Sequence, residues 1–464
     1  MSNSIPGWKK AKRESPFRSA VAITGTLLSV LIANLITELF KSEKQELQVL
    51  CCAFLLLQNE FDIQNEFGLN EKGGFHMFRK GTYTLNPDPN FNFQLNRVVM
   101  WGNGDPDEIR KVSQGITDSV GWVKALTGLA EAAEKNGNTE RQIGYLRMSE
   151  FFMYDSDPAK LETYRRAKQL FYTCYAPVME ERGLLRTEVP YPGGSLPVLS
   201  AKAKGERRGC VLLHGGNDSY IEEFFDALCY LQDQGYDVFL FEGPGQGGCL
   251  REQNMKFDPA WEKPVKAILD YFHLEDVTII GASLGGYLAP RAAAFEKRIS
   301  KVIGWSIFPD FFDILLADDP KLLRVVMDAM YRRGHAGMFN KLYKKMMEKS
   351  ELVKWNLLHG MYAYDAPDPV GYVQKVRQFT LKGIGDKVTQ DMLILAGRSD
   401  HMIPPTLFQE EFDLLPNTRS LALQLYTDRD DAGSHCNMGN MKLALDTMIR
   451  WMDQIDGKNR GKSV

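Results

Sequence analysis

The chain has 464 residues, of which 44% are hydrophobic and 25% are charged, and its formal net charge is −3. This composition is typical of a folded globular protein with one large or two modest domains, and it argues against nucleic-acid binding. The 7 cysteines are scattered, without a CxxC pair or a Cys/His metal spacing. Reduced core thiols are therefore expected, with no disulfide framework and no metal site.

The first 70 residues combine a basic stretch with an apolar one. Residues 1–18 carry five basic side chains against one acidic side chain, and residues 20–37 follow without any charge. A membrane-spanning helix needs about 20 mainly apolar residues, and this run is slightly shorter and diluted by Thr, Ser, Asn and Gly. A weak membrane anchor, a targeting segment and a helix packed on the globular body all remain open.

Residues 71–183 are expected to form a helical cap region. Residues 58–106 are rich in loop-forming residues, whereas the pattern from 107 to 182 is helical. It predicts three helices, at residues 120–136, 140–155 and 158–181. Core packing explains most of the aromatic residues on these helices.

From residue 184 to 457 the pattern changes to short strands that alternate with helices. A hairpin is predicted at 185–189 and 196–200, around Pro192-Gly193-Gly194. Further apolar runs predict strands at 210–213, 238–241, 277–280, 302–305, 392–395 and 420–426. Such alternation indicates the α/β class, with a mostly parallel sheet covered by helices on both faces.

Two further segments complete the predicted domain. Residues 308–380 interrupt the alternation with a helical pattern rich in Met, Tyr and Lys, and we interpret them as a second cap element inserted between two strands. A last helix is predicted at 441–455, and residues 458–464 are expected to be a polar tail.

Ser283 lies in a Gly-x-Ser-x-Gly pattern between a predicted strand and a predicted helix. This context presents a serine hydroxyl on a sharp turn, and the flanking glycines let the strand and helix pass close together. The helix N-terminus also favours the negative charge that develops during acyl transfer. The pattern therefore predicts that Ser283 is a nucleophile.

A nucleophilic serine needs a base, an orienting acid and an oxyanion hole. Asp400 follows the strand at 392–395, and His435 lies in a glycine-containing loop before the last helix. The order Ser, Asp, His fits this architecture. Of the other histidines, His401 adjoins Asp400 and is expected to be structural, and His214 belongs to the loop described next.

The oxyanion hole is expected to use the Leu284 N–H and a second N–H from the His214-Gly215-Gly216 loop. Gly216 and Asn217 both remain candidates for the second donor, and His214 is expected to brace the loop. The run Glu242–Gly247 also follows a strand. It is neither G-x-G-x-x-G nor a P-loop, so we interpret it as a tight turn and expect no cofactor.

Together, the runs HGGNDS, EGPGQG, GASLGG, GRSDHMIP and GSHCNMGN resemble α/β-hydrolases of the 2,6-dihydroxypseudooxynicotine hydrolase type. Fungal fusarin-type polyketide hydrolases look like more distant relatives. The resemblance runs from about His76 to the last helix, and it implies an α/β-hydrolase fold with Ser283, Asp400 and His435 as the triad. It also implies that Asp218 stands where the family has an auxiliary acid.

These features predict a serine hydrolase that cleaves an ester or acyl bond, or a C–C bond beside a ketone, in a small organic substrate. An acyltransferase or cyclase acting on a polyketide-like intermediate is the alternative, and a non-catalytic binding protein is a third reading. The sequon Asn217-Asp218-Ser219 lies in the oxyanion loop, where a glycan would block the site, so a cytoplasmic location is expected. Membrane association through 20–37 and homodimerisation are further expectations.

Overall fold

A computed structural model of the chain describes residues 78–315 and 336–460. The predictions for the basic N-terminus, the apolar run at 20–37 and the last residues of the polar tail lie outside these ranges. Within them, no helix is both long and apolar enough to cross a membrane.

The centre of the fold is one eight-stranded sheet in the order β1-β2-β4-β3-β5-β6-β7-β8. The strands are β1 (Leu185–Tyr191), β2 (Gly194–Ala201), β3 (Gly209–His214), β4 (Tyr236–Phe241), β5 (Val277–Ala282), β6 (Ile299–Trp305), β7 (Asp391–Gly397) and β8 (Ser420–Tyr426). The β1–β2 and β2–β4 pairs are antiparallel, and all other neighbours in the sheet are parallel. Each run predicted as a strand lies within one of these strands.

Helices cover both faces of the sheet, as the apolar strands require. Every residue of β4, β5 and β7 is buried, which is typical of parallel strands with a helical layer on each side. In the parts of the chain that the structure describes, the helices that follow β2 are α7 (Phe225–Asp233), α8 (Gly247–Arg251), α9 (Glu262–Phe272), α10 (Gly285–Phe295), α11 (Phe311–Leu315), α12 (Ala336–Lys349), α13 (Glu351–Ala363), α14 (Pro369–Val376), α15 (Phe408–Leu414) and α16 (Met441–Arg460). Those from α11 to α14 belong to the insertion between β6 and β7.

Between residue 78 and β1 the structure describes six helices, and they correct two predictions. They are α1 (Pro89–Trp101), α2 (Pro106–Ser113), α3 (Ser119–Lys135), α4 (Thr139–Phe151), α5 (Pro158–Cys174) and α6 (Ala176–Arg182). The loop predicted up to residue 106 contains α1, because Asp88 caps the helix by accepting from the Asn90 and Phe91 N–H groups. The helix predicted at 158–181 is two helices, which meet at Tyr175 because Pro177 has no N–H to continue the ladder.

A buried carboxyl group supports the turn after β6. The Glu411 side chain of α15 is fully buried, and the Phe308 N–H donates to its Oε2 at 2.8 Å. Burial raises the pKa of Glu411 to about 8. Between the ordinary glutamate pKa and that value, the folded protein keeps a proton that the unfolded chain releases, so stability falls as pH rises through this window.

Glu411→Gln is therefore expected to remove a pH-dependent penalty. Between pH 5 and pH 8, the unfolding free energy of the variant relative to wild type should rise by about 1.4 kcal/mol per pH unit. Urea unfolding at several pH values measures this difference, with circular dichroism as the check on folding. A difference that stays constant across the range would contradict the assignment.

Candidate active site

Three side chains from three separate loops meet at the carboxyl end of the sheet. His435 Nε2 lies 2.9 Å from Ser283 Oγ, and His435 Nδ1 lies 2.7 Å from Asp400 Oδ2. Because a carboxylate only accepts, Nδ1 carries the proton of the neutral ring and Nε2 is free to accept from the serine hydroxyl. This chain of contacts is the arrangement that activates a serine for attack on a carbonyl.

The turn at Ser283 has the strained backbone that its sequence pattern predicts. Ser283 has a φ of +59°, in the left-handed region, between the end of β5 and the start of α10. Gly216 packs directly against this turn: a Cβ added there would lie 2.7 Å from Ser283 Cβ and 2.8 Å from the Leu284 nitrogen. The missing side chain lets the His-Gly-Gly loop approach the serine.

The histidine loop is tied to the same turn through Trp305, the last residue of β6. The Trp305 carbonyl accepts from the Ser283 N–H at 3.2 Å and from Cys436 Sγ at 3.3 Å. Its indole Nε1 donates to Asn437 Oδ1 at 3.0 Å. Cys436 and Asn437 both have positive φ values, so the loop is tightly curved around His435.

Burial and charge act in opposite directions on the acid and the base. The Asp400 and His435 side chains are each 5% exposed. Burial alone would lower the pKa of His435, but the charge of Asp400, aided by Cys436 and by the hydrogen bond to Asp400, raises it well above the ordinary value. Burial would raise the pKa of Asp400, but His435 and the Ile403 and Met402 N–H groups hold it below its usual range.

Hydrogen bonds to its carbonyl oxygen fix the orientation of the peptide group between Gly215 and Gly216. Its carbonyl accepts from Gln246 Nε2 at 2.9 Å and from His214 Nδ1 at 2.9 Å. Gln246 Nε2 also donates to the Gly216 carbonyl at 2.9 Å. In a trans peptide the N–H points away from the C=O, so these bonds fix the direction of the Gly216 N–H. That N–H donates to Ser219 Oγ at 3.2 Å.

His214 and Gln246 are suited to this supporting position. Both are buried, and burial lowers the pKa of His214 to about 4, which keeps its ring neutral. The sequence indicated a bracing role for His214 but only a tight turn for Glu242–Gly247. A polar side chain in a glycine-rich turn after a buried strand was the available signal for Gln246.

The next two residues of the loop contact the two cap regions. The Tyr364 hydroxyl donates to Asn217 Oδ1 at 2.7 Å. Arg147 Nη2 donates to the Asp218 carbonyl at 2.7 Å, and Arg97 Nη1 lies 3.4 Å from Asp218 Oδ1. The Asp218 carboxylate is thus engaged by an arginine of α1.

Behind this loop lies a buried charge network that joins the helical region to the core. The Glu150 side chain is fully buried and lies 3.1 Å from Arg251 Nε, 3.4 Å from Arg147 Nη1 and 3.9 Å from Lys160 Nζ. The Tyr220 hydroxyl donates to it at 2.7 Å. Burial opposes ionisation of Glu150, but the charges of Arg251, Lys160 and Arg147 hold its pKa below the usual range.

One side chain beside His435 was not identified from the sequence. The Phe93 ring of α1 lies 5.8 Å from the His435 ring and 5.2 Å from the His401 ring. It falls in a segment predicted to be a loop, so no helical face indicated it. Among residues 78–315 and 336–460, no group of three or more His, Cys, Asp or Glu side chains could hold a metal ion.

A family model described as the alpha/beta hydrolase fold matches residues 211–425, the stretch from β3 to β8. This chain has the α/β-hydrolase fold. The crystal structure of the 2,6-dihydroxy-pseudo-oxynicotine hydrolase has the same fold, with a TM-score of 0.54 and 20% identity over 77% of this chain and 94% of that one. The structure of wild-type AbyA5 gives a TM-score of 0.55 at 18% identity, over 75% and 89% of the two chains.

Curated fungal relatives of this chain are hydrolases by name. Hydrolase acrC of Aspergillus aculeatus is 26% identical, over 81% of this chain and 98% of its own length. The 20-hydroxy-prefusarin hydrolase FUS2 of Gibberella moniliformis is 26% identical, over 78% and 96%. The resemblance predicted from the five sequence runs is therefore confirmed, as is the α/β-hydrolase fold.

Proposed function

We propose that this hydrolase cleaves an ester or acyl bond of a small organic substrate through Ser283, His435 and Asp400. The main support for the proposal is the pair of hydrogen bonds that connects Ser283 Oγ to His435 and His435 to Asp400. Ser283 Oγ attacks the carbonyl carbon while His435 Nε2 takes the hydroxyl proton, and Asp400 stabilises the imidazolium. His435 then gives that proton to the leaving group, and water attacks the acyl-enzyme in the same way.

The oxyanion of the tetrahedral intermediate is assigned to the N–H groups of Leu284 and Gly216. Gly216 lies against Ser283 and Leu284, and its N–H, which donates to Ser219 Oγ in the structure, would donate to the oxyanion instead. Asn217 is the alternative donor. For Asp218, the contact with Arg97 supports a role in holding the loop to α1 rather than in giving a proton to a leaving group.

Covalent labelling tests the nucleophile directly. A fluorophosphonate probe should label the purified full chain at Ser283, identified by mass spectrometry of the tryptic peptides. Labelling at another serine, or none, would contradict the proposal, and none would favour a binding protein. Added alcohol that diverts the acyl group from water would instead reveal acyl transfer.

Cleavage of a C–C bond beside a ketone is the second candidate. Its support is the likeness to the 2,6-dihydroxy-pseudo-oxynicotine hydrolase. The leaving group would then be a carbanion that needs a proton, and the engagement of Asp218 by Arg97 favours the ester reading instead. Parallel assays with short p-nitrophenyl esters and β-diketones separate the two, because only a C–C hydrolase turns over the diketones.

The raised pKa of His435 predicts the acid limb of the activity profile. Only the neutral ring accepts the serine proton, so activity is lost as pH falls through that raised pKa. We expect kcat/KM for a neutral ester to fall about tenfold per pH unit on an acid limb centred above pH 6.5, the ordinary histidine pKa. A limb centred at or below that value in a protein that is still folded would contradict the assignment.

Gln246→Leu tests the support of the oxyanion loop. The substitution removes two hydrogen bonds to loop carbonyls while keeping a similar buried volume. We expect kcat to fall about 10- to 100-fold with little change in KM, since the loop N–H acts mainly in the transition state. Gln253→Leu is the matched control, because Gln253 also bonds a backbone carbonyl, that of Ser195, outside this loop. Equal losses in both variants would indicate a general structural effect.

A further inference from the structure

The α12 helix of the insertion has one buried face and one exposed apolar line. Phe339 forms a buried cluster with Phe312, Val370 and Val373, and Tyr343 packs against it. On the outside, Met338, Leu342 and Met346 are 50%, 49% and 40% exposed. They are spaced four residues apart, so they follow one another along the helix over about 12 Å.

Lysines lie beside this apolar line, on the side away from the buried face. Lys341, Lys344, Lys345 and Lys349 are all exposed, and Glu348 is the one acidic residue of the helix. Within residues 78–315 and 336–460, no ion pair involves any of these four lysines. Within the described residues, the positive charge of the helix is therefore not neutralised by ion pairs.

We propose that this face, the α12 surface of Met338, Leu342 and Met346 with the four lysines, binds a lipid bilayer that contains anionic headgroups. Helices that lie in a membrane interface combine an apolar line with Lys or Arg around it. The apolar side chains enter the boundary between headgroups and acyl chains, while the lysines neutralise the headgroup charge. The helix lies on the membrane and does not cross it.

The charge distribution favours a bilayer over a second copy of the chain. In a two-fold pairing of this surface with itself, the lysines of both copies would face each other, and like charges would oppose the contact. An anionic bilayer satisfies the apolar and the charged parts of the surface at once. Its contribution from charge should weaken as salt screens the lysines.

Co-sedimentation of the full chain with phosphatidylcholine vesicles, with and without phosphatidylserine, tests the proposal. We expect binding to depend on phosphatidylserine and to decrease at high salt. Replacing Met338, Leu342 and Met346 together by Gln should lower the partition coefficient by about tenfold or more. Replacing Lys341, Lys344 and Lys345 together by Glu should abolish the dependence on phosphatidylserine.

A control variant replaces exposed apolar side chains that lie outside α12. Val120→Gln with Phe412→Gln replaces side chains that are 65% and 49% exposed elsewhere, and it should bind vesicles like wild type. All variants should retain turnover of a soluble ester, since α12 contributes nothing to the triad or the oxyanion loop.

Three results would overturn the proposal. One is equal binding to vesicles with and without phosphatidylserine. Another is unchanged binding of the α12 variants, which would assign the contact to another segment such as residues 20–37. The third is a concentration-dependent dimer, seen by analytical ultracentrifugation, that the Gln variant loses, because the surface would then be an interface between copies.

Discussion

Ser283→Ala should lower kcat by about 10⁴- to 10⁶-fold, because it removes the atom that forms the bond to the substrate in the proposed mechanism. The residual rate would come from the oxyanion donors and from substrate binding alone. Initial-rate kinetics with a p-nitrophenyl ester measure the loss, and fluorophosphonate labelling should disappear in parallel.

Ser399→Ala is the control for this experiment. Ser399 lies beside Asp400 in the same loop, but it is exposed and its hydroxyl bonds Asp428. Its loss should leave turnover close to wild type. Full activity in the Ser283 variant would reject the nucleophile assignment, and an equal loss in both variants would point to disruption of the loop.

Glu150→Ala should cost about 3–5 kcal/mol of unfolding free energy, because it leaves buried cations without their shared carboxylate. Arg147, Arg251 and Lys160 all lie within 4 Å of Glu150, whose side chain has no exposure. Urea unfolding at neutral pH measures the change. The effect should shrink at acid pH, because the depressed pKa of Glu150 means that its stabilisation is lost as pH falls through that value.

Two further variants provide reference values for the loss of unfolding free energy in Glu150→Ala. Glu150→Gln keeps an acceptor for the Tyr220 hydroxyl but not the charge, so it should be destabilised less than the alanine variant. Lys266→Ala breaks an exposed ion pair with Asp270 and should leave the melting temperature nearly unchanged. Similar small effects in all three variants would mean that the buried charges find other partners.

The strands, and the proximity of Ser283, Asp400 and His435, could be predicted from the sequence because their signals are local. A short apolar run, a glycine on each side of Ser283 and the order Ser, Asp, His each occupy a few neighbouring positions. The fold then brings together strand ends that the parallel topology requires to meet. The α1 helix was missed because Asn86–Pro89 resembles a loop, although Asp88 with a following proline is also a helix start.

The supporting contacts could not be predicted, because they depend on pairs distant in the chain. Glu150 meets Arg251 across 101 positions, and Asn217 meets Tyr364 across 147. No periodic pattern in the sequence predicts which charged or hydroxyl side chain will contact which loop. Gln246 could be predicted only in part. Its glycine-rich motif is recognisable in the sequence, but its partners are two backbone carbonyls, which no sequence pattern identifies.

The junction at Trp305 has a consequence for how this chain can diverge. The Trp305 main-chain carbonyl accepts hydrogen bonds from both the Ser283 N–H and the Cys436 thiol. Every amino acid has such a carbonyl. Replacing the side chain at 305 would remove the indole contact to Asn437 but not this double acceptor. The spacing between Ser283 and His435 thus depends partly on a backbone group, and it can persist when the surrounding side chains are substituted.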